Sequence, residues 1–176
     1  SMSKTVAALL TGIAIDQKLI ESVDDPIGKY IEEWKDGERG KKITIRHLLT
    51  MSSGFEPTPY FSNNPFWKGQ KRQIGTNLPE AALSYDLAEE PGTKWEYNGT
   101  NTFLLGLIIS RTSGMRYTQY LSKYLWQPVG NSTAHMWMDR EGGVPRTFVG
   151  IYAAPMDWAR LGLMMLNDGK VGETQI

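Results

Sequence analysis

Cysteine is absent from this 176-residue chain, which excludes disulfides, thiolate catalysis and cysteine-ligated metals. That absence slightly favours an exported location over a cytoplasmic one without fixing either. Histidine is almost absent too. His47 and His135 stand alone, without the His-x-Glu type of spacing that accompanies metal ligands, so no metal site is expected. Neither sign of charge is in excess: Lys+Arg and Asp+Glu both number 19. With zero net charge and no basic stripe, nucleic acid is not an expected partner. No apolar run reaches the roughly 18 residues of a membrane span, and no signal-peptide pattern is visible. Repeats and low-complexity segments are also lacking.

What is present is a globular composition, 40% hydrophobic and 22% charged, in a chain long enough to bury a core. Helical periodicity dominates. Val6, Leu9, Leu10 and Ile13 recur at i, i+3, i+4 and i+7, which predicts a helix over 2–15. Asp24, Asp25 and Pro26 read as a helix start. Thr44 reads as the cap of "IRHLLTMSSG", ending at Gly54. Pro79 opens a short helix, 100–113 form an apolar helix stopped by Gly114, 117–126 form another, and Pro155 opens an amphipathic helix ending near Gly169. Only "AHMWMD" reads as a strand. Residues 55–78, rich in proline, asparagine, glycine and aromatics, read as a long loop, and such loops often carry function. Tyr60, Phe61, Phe66 and Trp67 in it either line a substrate cleft or pin the loop down.

The chain opens "SMSK". Residues three apart on a helix project about 60° from one another, so Ser1 and Lys4 share a side. A serine hydroxyl becomes a nucleophile when a base takes its proton. A lysine amine serves as that base when burial or nearby positive charge favours its neutral form. Free N–H groups at a helix N-terminus can support a developing oxyanion. Alone, S-x-x-K is a weak signal, and on these four residues a tag remnant followed by an ordinary helix is the simpler reading. Other candidates read more simply. His47 sits inside a capped helix and is structural, whereas His135 follows a loop and is a candidate for a substrate edge. Ser52 and Ser53 in "MSSGF" lack a G-x-S-x-G elbow. Asp157 reads as a first-turn acid that suits the helix dipole, and Trp158, Leu161 and Met164 as core.

Three further stretches support the reactive reading: "ITIRHLLTMSSGF", "EPGTKWEYNGTNTFLLGLIISRTSG" and "APMDWARLGLMMLNDGK". With the opening segment, in this order and spacing, they resemble the penicillin-recognising serine hydrolases. That superfamily includes class C-type β-lactamases, D-alanyl-D-alanine peptidases, carboxylesterases and 6-aminohexanoate-dimer hydrolases. "GNSTAHMWMDREGG" followed by "APMDWARLG" is most similar to the 6-aminohexanoate-dimer hydrolase and esterase branch. The resemblance implies an α/β (α+β) serine β-lactamase-like fold, with residues 1–176 forming the central, mainly helical part of one domain. Flanking sheet segments, and the family's Lys- or His-x-Gly strand, are expected outside it. "DGKVGE" is read as a polar turn, not as that strand.

The resemblance also implies roles. Ser1 matches the acylated nucleophile, Lys4 the base, and Tyr97 the tyrosine that exchanges protons with serine and leaving group. Where the family often reads Tyr-Ser-Asn, this chain reads Tyr97-Asn98-Gly99. Asn98 then either takes over the polar role of the missing amide or the role is absent. Asn98, Gly99, Tyr60, Trp67 and His135 are the substrate-binding candidates. The implied activity is hydrolysis of a small amide or ester through an acyl-enzyme, without cofactor. The alternatives are β-lactamase or D-alanyl-D-alanine carboxypeptidase activity, and, in another class, a non-catalytic binding protein on the same scaffold.

Overall fold

The computed structural model describes residues 1–57 and 74–176. Tyr60, Phe61, Phe66 and Trp67 lie outside the described residues. Among those described, helices dominate: α1 Ser3–Asp16, α2 Glu38–Lys42, α3 Ile45–Leu49, α4 Leu78–Leu83, α5 Gly99–Ser113, α6 Tyr117–Leu121 and α7 Pro155–Leu166. A π-helical turn, Ser122–Trp126, continues α6. Two antiparallel ladders accompany them, β1 His135–Met136 with β2 Ile151–Tyr152, and β3 Lys170–Val171 with β4 Thr174–Gln175. No helix of the described residues is long and apolar enough to cross a membrane.

The fold is organised around α5, whose residues Phe103, Leu104, Leu105, Ile108 and Ile109 are all buried. Against it α1 contributes Val6, Ala7, Leu10 and Ala14, all fully buried. Leu9 and Ile13, which share the apolar pattern of α1, are only half-buried and line an open groove with Met164 and Met165 of α7. Helix α3 packs on the other side of α5 through Ile45 and Leu48.

Several local readings of the sequence hold for local reasons. The Thr44 hydroxyl accepts the His47 N–H while His47 Nδ1 accepts the Thr44 N–H, a reciprocal cap for α3. Gly114, at φ +66°, ends α5 in the left-handed conformation that glycine adopts without cost. Other readings are corrected. Asp24 and Asp25 cap nothing. Asp24 forms a two-bonded ion pair with Arg46, and Asp25 accepts the Ser22 N–H and the Tyr30 hydroxyl. Helix α3 stops at Leu49, not Gly54, because Met51 turns left-handed at φ +57°. Lys170 and Val171 are a strand, not a turn.

Candidate active site

Two long-range brackets set Lys4 against the Tyr97 ring and Ser1 beside Ser3. The first holds the segment that carries Tyr97. Met51 accepts the Glu96 N–H on its carbonyl (2.8 Å), and Gly54 accepts the Ala88 and Glu89 N–H groups (2.9 and 3.1 Å). Gly54 has φ +74°, and a Cβ there would lie 2.3 Å from the Glu89 carbonyl oxygen. Only glycine permits that approach. Asn101, fully buried, donates to the Met51 sulfur at 3.4 Å and ties the bracket to the first turn of α5. Tyr97 therefore leaves the bracket immediately before α5, with its ring 42% exposed.

The second bracket joins the start of α1 to the 148–152 segment. Lys4 Nζ donates to the Phe148 carbonyl at 2.8 Å, and Ile151 N–H donates to Ser3 Oγ at 3.4 Å. Ser3 Oγ in turn accepts the Ser1 hydroxyl at 3.1 Å, and Ser1 Oγ accepts the Ser3 N–H at 3.3 Å. The Lys4 ammonium sits 4.8 Å from the centroid of the Tyr97 ring, a cation–π distance. Thus Lys4 and Tyr97 meet through the ring face, and the Ser1 hydroxyl rests on Ser3. A rotation about χ1, which moves between staggered wells, carries Oγ away from Ser3.

The remaining candidates are placed as follows. Asn98 is buried, and its Oδ1 accepts the Thr100 N–H at 2.9 Å, which makes it the N-cap of α5. Its side chain is thus committed to helix capping. Gly99 faces Phe148. A Cβ at 99 would lie 3.1 Å from the ring, so an amide side chain at this position and the present Phe148 ring compete for one space. His135 is exposed in β1, opposite Tyr152 in β2.

Asp157 has more to do than suit a dipole. Fully buried, it accepts Ser132 Oγ–H (2.6 Å), Ser132 N–H (3.1 Å) and Arg160 Nη1–H (2.8 Å). The two Ser132 donors, followed by Arg160, hold its carboxyl below the usual carboxylate range. It anchors the loop leading into β1. Asp139 does the same for the following turn, accepting Val144 N–H (2.8 Å) and Leu78 N–H (3.2 Å).

Sequence reasoning missed Ser3 and Phe148. Ser3 is visible as a hydroxyl beside the pair. Phe148 acts through its backbone carbonyl, which no residue type announces. A cavity of about 430 Å³ opens between α5, the 114–118 turn and residues 138–147, but Ser1, Lys4 and Tyr97 do not line it.

Comparison with known proteins bears on the family and the fold. The family described as Beta-lactamase matches residues 1–175. Penicillin-binding protein 4* of Bacillus subtilis is 28% identical over 144 residues, covering 80% of this chain and 30% of that protein. Among solved structures, a Bacillus anthracis protein provisionally described as a 6-aminohexanoate-dimer hydrolase superposes with TM-score 0.85 at 22% identity, over 99% of this chain and 48% of the other. EstCE1, described as a hydrolase with promiscuous acyltransferase activity, superposes with TM-score 0.74 at 17% identity, over 99% and 59%. At these identities the structural likenesses show the fold. The chain spans under a third of that curated relative and about half to three-fifths of these solved neighbours.

Proposed function

The chain belongs to the Beta-lactamase family, and from that premise we propose that it carries the nucleophilic centre of a serine hydrolase that cleaves a small amide or ester through an acyl-enzyme. The observation that carries the reading is the Lys4 ammonium held between the Phe148 carbonyl and the Tyr97 ring, one helical turn from Ser1.

In this reading Lys4 acts in its neutral amine form: Ser1 Oγ turns from Ser3 toward Nζ, which takes its proton as Oγ attacks the substrate carbonyl, and Nζ then hands that proton on by way of the Tyr97 hydroxyl. Free N–H groups at the start of α1 receive part of the oxyanion charge. Tyr97 passes a proton to the leaving amine or alcohol. Water, deprotonated by the same Lys4–Tyr97 pair, then releases the acid and restores Ser1. The second oxyanion donor and the Lys- or His-x-Gly strand implied by the resemblance are proposed to come from the part of the fold beyond the 48% matched in the Bacillus anthracis neighbour.

Within this class, the committed cap of Asn98 and the Phe148 ring against Gly99 favour an esterase or amidase, as in the 6-aminohexanoate-dimer hydrolase branch. They disfavour a β-lactamase or D-alanyl-D-alanine carboxypeptidase, where an amide at the third position would hold the substrate's side-chain amide. A non-catalytic binding role has no need for Ser1, Lys4 and Tyr97 together. The test is hydrolysis of p-nitrophenyl esters and of nitrocefin by the chain and by a version extended to the full fold. Ester cleavage abolished by Ser1→Ala supports the reading. Nitrocefin turnover exceeding ester turnover refutes the esterase preference, and ester cleavage that survives Ser1→Ala refutes the nucleophile.

A further inference from the structure

Four aromatic side chains stand out among the exposed large hydrophobic residues described: Trp95 (67%), Tyr97 (42%), Trp137 (50%) and Tyr152 (60%). Every one lies on a segment that builds the candidate site. Trp95 and Tyr97 are on the first bracket, with ring centroids 6.4 Å apart. Trp137 directly follows β1 and Tyr152 is in β2, which is fastened to Ser3 through the Ile151 N–H, while Phe148, three residues before β2, holds Lys4. Exposed aromatic surface is a common mark of a recognition surface.

Trp137 is the most deliberately built of the four. Its N–H donates to the Gly150 carbonyl and its carbonyl accepts the Arg146 N–H, both at 2.9 Å. Alternation along the hairpin puts His135, Trp137 and Tyr152 on one face, while Met136 and Ile151 pack against the core. Opposite Trp137 stands Gly150 at φ +84°, where a Cβ would lie 2.7 Å from Trp137 Cβ. Glycine therefore leaves the indole without a cross-strand neighbour. One side of the indole is covered: the Arg146 guanidinium, 3% exposed, sits 5.2 Å from a ring centroid and donates to the Gly75 carbonyl. Among the described residues the ring is thus held on one side and half exposed. Gly150, which pairs with Trp137, adjoins Ile151, whose N–H donates to Ser3 Oγ, the acceptor of the Ser1 hydroxyl, so one strand links the segment of the indole to the nucleophile.

The chemistry of the arm follows from what lies under the ring. A guanidinium on the covered face draws the π electrons toward itself, so the open face has little attraction left for a second cation. It suits a neutral apolar chain or flat ring. We propose that Trp137 is a specificity-determining residue, the platform on which a neutral apolar arm of the amide or ester substrate lies. This deepens the serine-hydrolase reading and rests on it for the identity of the ligand.

The experiment separates the two. Binding of hexananilide and of 6-aminohexananilide is followed by isothermal calorimetry with wild type, Trp137→Phe and Trp137→Ala. Fluorophosphonate labelling of Ser1 is measured in parallel. A buried aromatic anchor commonly contributes tenfold or more to affinity. Trp137→Ala is expected to weaken hexananilide about tenfold, Trp137→Phe to restore most of that, and the ammonium analogue to change little. Ser1 labelling by the small probe is expected to be the same in all three proteins. Hexananilide affinity indifferent to Trp137, or equal losses for the two ligands, overturns the platform whether or not Ser1 is labelled. Failure of Ser1 to label while hexananilide binding still depends on Trp137 overturns the hydrolase reading and leaves the platform.

Discussion

Replacing Gly54 by alanine tests the bracket behind Tyr97. The residue sits at φ +74°, where a Cβ costs about 1–2 kcal/mol. The new Cβ would also lie 2.3 Å from the Glu89 carbonyl oxygen and 3.0 Å from its carbon, so strand and turn must part. Parting them weakens the bonds from Ala88 and Glu89 N–H to the Gly54 carbonyl, each worth about 0.5–1.5 kcal/mol net. The sum is about 3 kcal/mol, a large share of the 5–15 kcal/mol of an ordinary domain. For a chain of this size it corresponds to a fall in Tm of roughly 6–12 °C. Gly114→Ala is the control, because Gly114 has φ +66° but nothing within 4 Å of its added Cβ. It is expected to lose only the conformational part, about 1 kcal/mol. Urea unfolding of both variants, with m values compared to exclude a change in the unfolded state, measures the difference. Equal losses at Gly54 and Gly114 would refute the claim that close approach to Glu89 builds the bracket.

Other outcomes are equally definite. Arg111 donates two 2.7 Å bonds to Glu33 and holds its pKa at about 2, down from an ordinary 4.5. At full weight that gap is roughly 3 kcal/mol, but Glu33 is 46% exposed and screening leaves about 1 kcal/mol. Because the folded pKa is the lower one, this stability is present above pH 4.5 and is lost as pH falls toward 2. Urea midpoints of wild type and Glu33→Gln should therefore differ at pH 6 and converge near pH 2.5. Ser132→Ala removes the 2.6 Å donor to Asp157, so NMR titration should show the Asp157 pKa moving up toward its ordinary value. Gly99→Asn should displace the Phe148 ring and with it the Lys4 contact, lowering ester turnover more than it lowers Tm.

The parts of the fold that were legible in the sequence are those fixed by neighbours in the chain. Thr44 and His47 cap each other three residues apart, and Gly114 stops α5 one turn after its apolar run ends at Ile109. What distant partners decide was not legible. Met51 turns left-handed, against its own preference, where its carbonyl takes the Glu96 N–H, so α3 ends before its apolar pattern does. Asp24 and Asp25 look like caps because their true partners, Arg46 and Tyr30, are identified only by the fold. In the candidate site, Ser1, Lys4 and Tyr97 were singled out through the family resemblance, because S-x-x-K spacing alone is a weak signal. The Phe148 carbonyol contact that fixes Lys4 is 144 residues away in sequence and is made by backbone. Asn98 was legible as a polar residue beside Tyr97, but its duty as the α5 cap depends on where the helix starts.

The central claim is that Ser1 is a nucleophile activated by Lys4. Its most direct test is labelling with a fluorophosphonate, followed by peptide mapping of the adduct in wild type, Ser1→Ala and Lys4→Ala, in the chain extended to the full fold. A single adduct on Ser1, absent in Ser1→Ala and slowed at least a hundredfold in Lys4→Ala, about the loss expected when a general base is removed, is the result this account predicts. An adduct on Ser52, Ser53 or another residue, or labelling of Ser1 at an undiminished rate without Lys4, would contradict it.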